Sequence, residues 1–467
     1  MVPSFAVGAD AGAGDTATEL LRSSILYTRG DAFRDADALV FHEDGGLLIE
    51  DGRVAACGEF SAVRAGRPDA VVRDWRGGYL LPGFVDVHVH YPQLRVTGGL
   101  EGELLDWLQR RALPEEARMA DGAHAARIAN GFVDALAAHG TTTAMVFGSH
   151  FAGATSELFE SAGRKGLRVA SGLVLSDRSL LPELHQTAET CYRDSKALIA
   201  RYHGQGRLLY AVTPRFALSA SEAVLEVCQT LMREHGGVRF QTHLNENARE
   251  VAEVRQLFPW AGDYYGVYEH YGLAGRRAVM AHNVHPGEGE LERMAGAGTA
   301  VAHCPCSNLA LGSGMFPMAA HLRAGVHCAL GTDVGGGTGF GMMKEALQAY
   351  LVQRVAPEGL VLTPGQMLYL ATLAGAEAMG LGEVTGSFAA GKWADVVYLR
   401  AREGSALAFS LEEADTGGEI LGALFAQAGV EAVREVRVAG AVVWGGGSEC
   451  PRDLPVEREA PTRRRVL

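Results

Sequence analysis

An α/β fold is predicted: a (β/α)8 TIM barrel carrying a small β-sandwich domain built from both chain ends. Three observations predict it. Eight short apolar runs recur at 79–90, 141–149, 167–176, 208–216, 240–247, 278–285, 300–308 and 326–337, each ending in polar or chemistry-bearing residue types. Helical patterning fills the gaps, as at 222–235 and 286–297. Strand alternating with helix in this way reads as a parallel sheet closed into a barrel. Strand-like segments of a second kind, at 39–60, 391–399 and 433–444, flank the barrel region and can pair into one small domain beside it.

In chain order, residues 1–18 are expected to be a flexible lead-in, rich in Gly and Ala and without the basic region of a signal peptide. The small β domain takes 19–80 and 384–450. Within it, 39–60 is expected to form short strands broken at the turn signals Asp44-Gly45-Gly46 and Asp51-Gly52. The barrel takes 81–383. Residues 451–467 form a polar tail whose Arg463-Arg464-Arg465 run is read as solvated.

The chain has 467 residues, 48% of them hydrophobic, enough for a large catalytic domain and a smaller one. Its net charge of −13 argues against nucleic acid as a partner, since phosphate binding needs basic patches. No apolar stretch reaches the roughly 18 residues of a membrane span. Seven cysteines in a chain of this length form no small-domain disulfide framework, so a reducing cytoplasm is expected.

Barrel active sites lie at the C-terminal ends of the strands, and the chemistry-bearing residues fall there. In Pro82-Gly83-Phe84-Val85-Asp86-Val87-His88-Val89-His90, the two histidines are two apart, which on a strand puts both on one face. Alone the pair is weak, because sixteen histidines produce it by chance. His243 ends the fifth run, His282 the sixth and Asp333 the eighth. Singly, His243 and His282 also read as satisfied core histidines, and Asp333 as the opening of a glycine-rich turn. Together, His88, His90, His243 and Asp333 form a nitrogen–oxygen set suited to zinc, with His282 placed to hold a water or the substrate.

These motifs resemble the amidohydrolase superfamily, whose barrel carries H-x-H after strand one, His after strands five and six, and Asp after strand eight. Its two-metal members carry a carboxylated Lys after strand four. The corresponding run, Tyr210-Ala211-Val212-Thr213-Pro214-Arg215-Phe216, has none, so the resemblance implies one Zn2+ per chain. Within the superfamily the chain is similar to the guanine deaminases over about 39–444, through HVHYPQ at 88–93, LLDWLQRRALPEE at 104–116, TTT at 141–143, VTPRFALS at 212–219, QTHLNEN at 241–247, AHCPCSN at 302–308 and GTDVGG at 331–336. It departs from them at Asn245, where the family usually has a small residue; that position is expected to border the pocket.

The resemblance implies hydrolytic deamination of guanine to xanthine and ammonia by a zinc-activated hydroxide. Glu246, three residues past His243, would shuttle protons; Asp333 would ligate and accept a proton; His282 would orient the water. Arg215 and Gln93 would read the purine, Phe216 would stack on it, and Trp107 would wall the pocket. Arg215 also reads as a surface ion-pair residue, Phe216 as a core packer and Trp107 as a buried structural residue. The expected partner is a small purine, with no nucleic acid and no membrane, and the expected assembly a homodimer. A relative acting on 8-oxoguanine, a pterin, a triazine or cytosine is the alternative, and a non-catalytic scaffold of the same fold the alternative of another class. His303-Cys304-Pro305-Cys306 is set aside as a zinc site, because one tight cluster does not easily close a tetrahedron. Gly335-Gly336-Gly337 lacks the continuation of a phosphate loop and is read as letting backbone pass close to the metal.

Overall fold

A computed structural model of the chain describes residues 18–445; the expected lead-in and tail lie outside them except for Thr18. Sixteen strands follow in order: β1 Glu19–Thr28, β2 Leu39–Glu50, β3 Arg53–Glu59, β4 Val71–Pro82, β5 Phe84–His90, β6 Thr141–Phe147, β7 Arg168–Gly172, β8 Val174–Leu175, β9 Leu208–Pro214, β10 Arg239–Leu244, β11 Ala278–His282, β12 Ala300–His303, β13 His327–Leu330, β14 Val396–Leu399, β15 Val433–Val438 and β16 Ala441–Gly445.

β1 to β4 and β14 to β16 form one hydrogen-bonded path, β16-β15-β14-β4-β1-β2-β3, of mixed direction. Its inward residues, among them Leu21, Ile25, Leu47, Trp75, Leu80, Val396 and Tyr398, share a core of their own. Two details differ from the sequence reading. β1 carried no recognised strand signal. Asp44-Gly45-Gly46 does not break β2: the β1–β2 register shifts there, between Ser23 and Ile25. A Cβ at Gly45 would lie 2.7 Å from the Ile25 side chain, so the glycine serves a bulge and not a turn. Asp51-Gly52 does turn the chain, with φ of 50° and 73°.

The barrel strands run parallel from β5 through β6, β7, β9, β10, β11 and β12 to β13. Their residues divide with period two. Val279 and Ala281 of β11, Ala300 and Ala302 of β12, Ala211 of β9 and Ala329 of β13 share one cluster with Val85, Val87 and the helix Leu373–Ala378. Their alternates Met280, Val301, Tyr210, Val212, Cys328 and Leu330 join the main core with the outer helices. Strands buried on both faces read as unbroken apolar runs, which is why the runs were visible in sequence. The first run begins too early: 79–82 belong to β4, and the chain enters the barrel at Phe84.

β5 and β13 share no strand ladder; the seam closes between β5 and the residues just past the end of β13. Asp333 N–H donates to His88 O (2.8 Å), and His90 N–H donates to Val334 O (2.7 Å). The Asp86 carboxylate accepts from Thr332 Oγ1 (2.5 Å) and Thr332 N–H (3.1 Å).

Candidate active site

Four atoms from three strand ends converge. His90 Nε2 lies 3.3 Å from His88 Nε2 and 3.2 Å from His243 Nε2. Asp333 Oδ1 lies 3.2 Å from His88 Nε2 and 3.3 Å from His90 Nε2. All four residues are buried, with their ligand atoms within 4.8 Å of one another. The chemistry of this set fits a divalent cation. His243 Nδ1 is 2.6 Å from Arg215 O, so its N–H is used there and Nε2 presents a lone pair. Burial lowers the His88 pKa to about 3 and holds His90 and His243 below the ordinary imidazole value, leaving all three uncharged. Phe147 packs beneath them, its ring centroid 4.4–5.0 Å from those of His90, His243 and His88.

A rival trio, His88, His282 and Cys304, meets the same distance limit. Burial pushes the Cys304 thiol well above its usual pKa, which keeps it protonated and a poor ligand. His303 stands apart from both groups, stacked on Phe316 at 4.3 Å. The six described cysteines are all free; Cys450 lies outside the described residues.

Above the cradle, Glu246 Oε2 lies 3.5 Å from His282 Nε2, which is 3.9 Å from Asp333 Oδ2. His282 Nδ1 is 2.9 Å from Asn308 Oδ1, which orients the ring with Nε2 as acceptor. Burial, and next the charge of Asp333, raise the Glu246 pKa well above the usual carboxyl value. Its place is set by a helix start. Asn247 caps the helix Ala248–Leu257, and Glu250 accepts from the N–H of both Glu246 (3.0 Å) and Asn247 (3.2 Å). Ser313 Oγ donates to Glu246 Oε1 (3.2 Å), and Ser307 Oγ to Asp333 Oδ2 (2.6 Å). His282 and Asp333 hold φ of 74° and 47°, a left-handed backbone uncommon outside glycine and concentrated at functional sites.

Arg215, one residue past β9, is 4% exposed, so it is no surface ion-pair residue. Its Nη1 lies 2.8 Å from both oxygens of Glu116. Gln93 Nε2 donates to Glu116 Oε1 (2.7 Å), and Gln93 Oε1 accepts from Gly335 N–H (3.3 Å). A Cβ at Gly335 would stand 2.5 Å from Gln93 O, so the glycine permits this close passage. Phe216 is buried, its ring 6.2 Å from that of His243. Trp107 lies in the main core at the end of the helix Leu104–Trp107, and among the described residues no ring contact brings it to the imidazole cluster. The amide of Asn245, the position expected to border the pocket, donates to Asn283 Oδ1 (2.9 Å) and Glu290 Oε2 (2.7 Å). Sequence reasoning missed Glu116 and Phe147 as members of the site. Glu116 lay within a quoted motif, but nothing local marks which of its carboxylates turns inward.

A parallel barrel with a buried imidazole–carboxylate cradle at its strand ends defines a class of metal-dependent hydrolases, and the chain belongs to the Amidohydrolase family, whose model matches residues 79–442. Within that family it belongs with the guanine deaminases. It is 55% identical over 437 residues to a probable guanine deaminase of Deinococcus radiodurans, covering 92% of this chain and 100% of that protein. It is 42% identical over 365 residues to the guanine deaminase of Escherichia coli K12, covering 78% and 83%. Among solved structures, E. coli guanine deaminase superposes with a TM-score of 0.87 at 36% identity, covering 92% of this chain and 100% of that one. A guanine deaminase from C. acetobutylicum with guanine in its active site gives 0.84 at 25% identity, covering 91% and 100%. No helix among the described residues is long and apolar enough to cross a membrane.

Proposed function

We propose that this chain hydrolyses guanine to xanthine and ammonia, using one zinc ion held by His88, His90, His243 and Asp333. The observation that carries the reading is Arg215. It is a buried cationic donor beside a hydrolytic cradle, and its remaining N–H groups suit a carbonyl oxygen, since guanidinium has donors and no acceptor. Zinc in the cradle would bring the pKa of an attacking water down to about 7.

Glu246 takes the proton of that water as its oxygen adds to C2 of the purine, and delivers it to the adjacent ring nitrogen. His282 Nε2, an acceptor, orients the water. Asp333 accepts the second proton, which reaches the departing amine through Glu246. The C2–N bond breaks, ammonia leaves, and the carbonyl of xanthine remains. Gln93 and Arg215 hold the ring edges and Phe216 its face. Trp107 walls the pocket from farther out. A cytoplasmic homodimer completes the reading, checked by size-exclusion chromatography and fractionation.

The test is a kcat/KM panel over guanine, 8-oxoguanine, isoxanthopterin, adenine, cytosine and ammeline. Guanine is expected to lead, with adenine lower by about 10⁴-fold, because a buried donor left facing an amine loses its partner. Adenine or cytosine ahead of guanine would overturn the role of Arg215. Metal analysis giving two ions per chain would overturn the single zinc.

A further inference from the structure

Glu116 carries no role in the chemistry above, yet it is the most heavily engaged buried carboxylate in the substrate-reading half of the site. It is 3% exposed, on the short helix Leu113–Ala117 that follows the first barrel strand's loop. Arg215 reaches it from 99 residues away with Nη1 at 2.8 Å from each oxygen. Gln93 donates to it at 2.7 Å, and His150 Nδ1, beyond the end of β6, lies 3.4 Å from Oε2. Gln93, Arg215 and His150 are 2%, 4% and 4% exposed, so all four groups meet away from bulk water. Although burial pushes it upward, the Arg215 charge holds the Glu116 pKa below its usual value, so the carboxylate is ionised beside the guanidinium.

Such an arrangement does two things. A long Arg side chain loses much rotamer freedom only when its fork is tied down, and a carboxylate on Nη1 does this while leaving other N–H groups for a ligand. It also cancels a buried positive charge that would otherwise favour anions over a neutral base. We propose that Glu116 is a positioning residue for substrate recognition, fixing Arg215 and Gln93 as donors to the oxo-bearing edge of a neutral purine base. The inference rests on the deaminase reading above and goes beyond it by assigning the residue that makes the readers selective.

The experiment measures Glu116→Gln and Glu116→Asp alongside wild type. The readouts are guanine kcat and KM, the inhibition constant of 2-aminopurine (which lacks the 6-oxo group), zinc content and thermal stability. Both variants are expected to retain zinc. In both, guanine kcat/KM falls by about 10- to 100-fold, mainly through KM, as for a charge-assisted contact misplaced. The 2-aminopurine constant stays within about threefold, because that ligand offers Arg215 no oxygen. Glu116→Asp keeps the charge and shortens the reach, so it tests placement even if Glu116→Gln folds poorly. Adding Glu116→Gln to Arg215→Met is expected to cost less kcat/KM than Glu116→Gln costs the wild type, since of the two groups it positions only Gln93 remains. Equal losses for guanine and 2-aminopurine, loss through kcat alone, or no loss in either variant would each overturn the inference. A wild-type enzyme that does not turn over guanine would overturn the deaminase reading itself, and with it this inference.

Discussion

The two halves of the site are held by different means. The cradle is built from strand ends: His88 and His90 lie at the end of β5, His243 at the end of β10, His282 closes β11 and Asp333 lies just past β13, and backbone bonds between neighbouring strands set their spacing. The reading half shares that frame only through the backbone of Arg215, whose N–H donates to Leu175 O (3.2 Å) and whose carbonyl accepts from His243 N–H (3.2 Å). Gln93 sits on a 3-10 turn, Glu116 on a five-residue helix and Arg215 just past a strand, and side chains alone join them. A rigid scaffold suits a cation that demands fixed distances, while a side-chain network can be retuned for substrate without disturbing the metal. The halves should therefore fail separately when mutated.

The largest expected effect is at the boundary. Glu246→Gln should lower kcat by about 10⁴-fold or more, at or above the top of the usual range for acid–base help, because both proton transfers pass through it. Zinc content should stay at the wild-type level; activity within about tenfold of wild type would remove Glu246 from the mechanism. Next is Arg215→Ala, expected to reduce guanine kcat/KM by about 10²- to 10³-fold and to lower the melting temperature, because Glu116 is left a buried charge without its partner. If zinc is lost as well, the halves are not independent. Asp86→Asn probes the cradle from behind, since Asp86 accepts from the backbone of His88 (3.2 Å) and from Thr332. Zinc affinity by chelator competition should drop about 10- to 100-fold, while KM of the fully loaded enzyme stays put. The smallest effects belong to Cys304→Ala and Cys306→Ala, each expected to keep zinc content and activity within about twofold. Loss of zinc in the Cys304 variant would promote the His88–His282–Cys304 trio over the quartet.

The same division explains what was legible in sequence. Strand-end residues leave a local signature: an apolar run, then His or Asp at a fixed step. His88, His90, His243, His282 and Asp333 were readable for that reason, and so was the order of barrel strands. Glu116 was not, because its partners are 23 and 99 residues away and a helix turn of mixed charge looks like any solvated face. Phe147 hid inside an apolar run whose residues all look alike. β1, Glu-Leu-Leu-Arg-Ser-Ser-Ile-Leu-Tyr-Thr, lacks clean alternation, since it pairs on both edges and shifts register midway. Asp44-Gly45-Gly46 misled because glycine marks a bulge as readily as a turn, and only the neighbouring strand decides which.

The barrel seam has a consequence for how the protein comes into being. Asp86 and Thr332, whose bonds close it, are 246 residues apart, and the carboxylate of the cradle follows at the next position. No growing chain can offer the complete cradle until its eighth barrel strand has been made and has come round to the first. Closing so long a loop costs only logarithmically more entropy than a short one, but it comes late among the folding contacts. A metal that needs all four residues would therefore need a closed barrel: a chain truncated before Asp333 keeps three imidazoles and lacks the fourth arm. An ion held there would tie the first strand to the last, and its binding energy would add to the stability of that closure. Amide exchange after chelation should accordingly quicken first at His90 and Asp333, ahead of the ladder between β10 and β11.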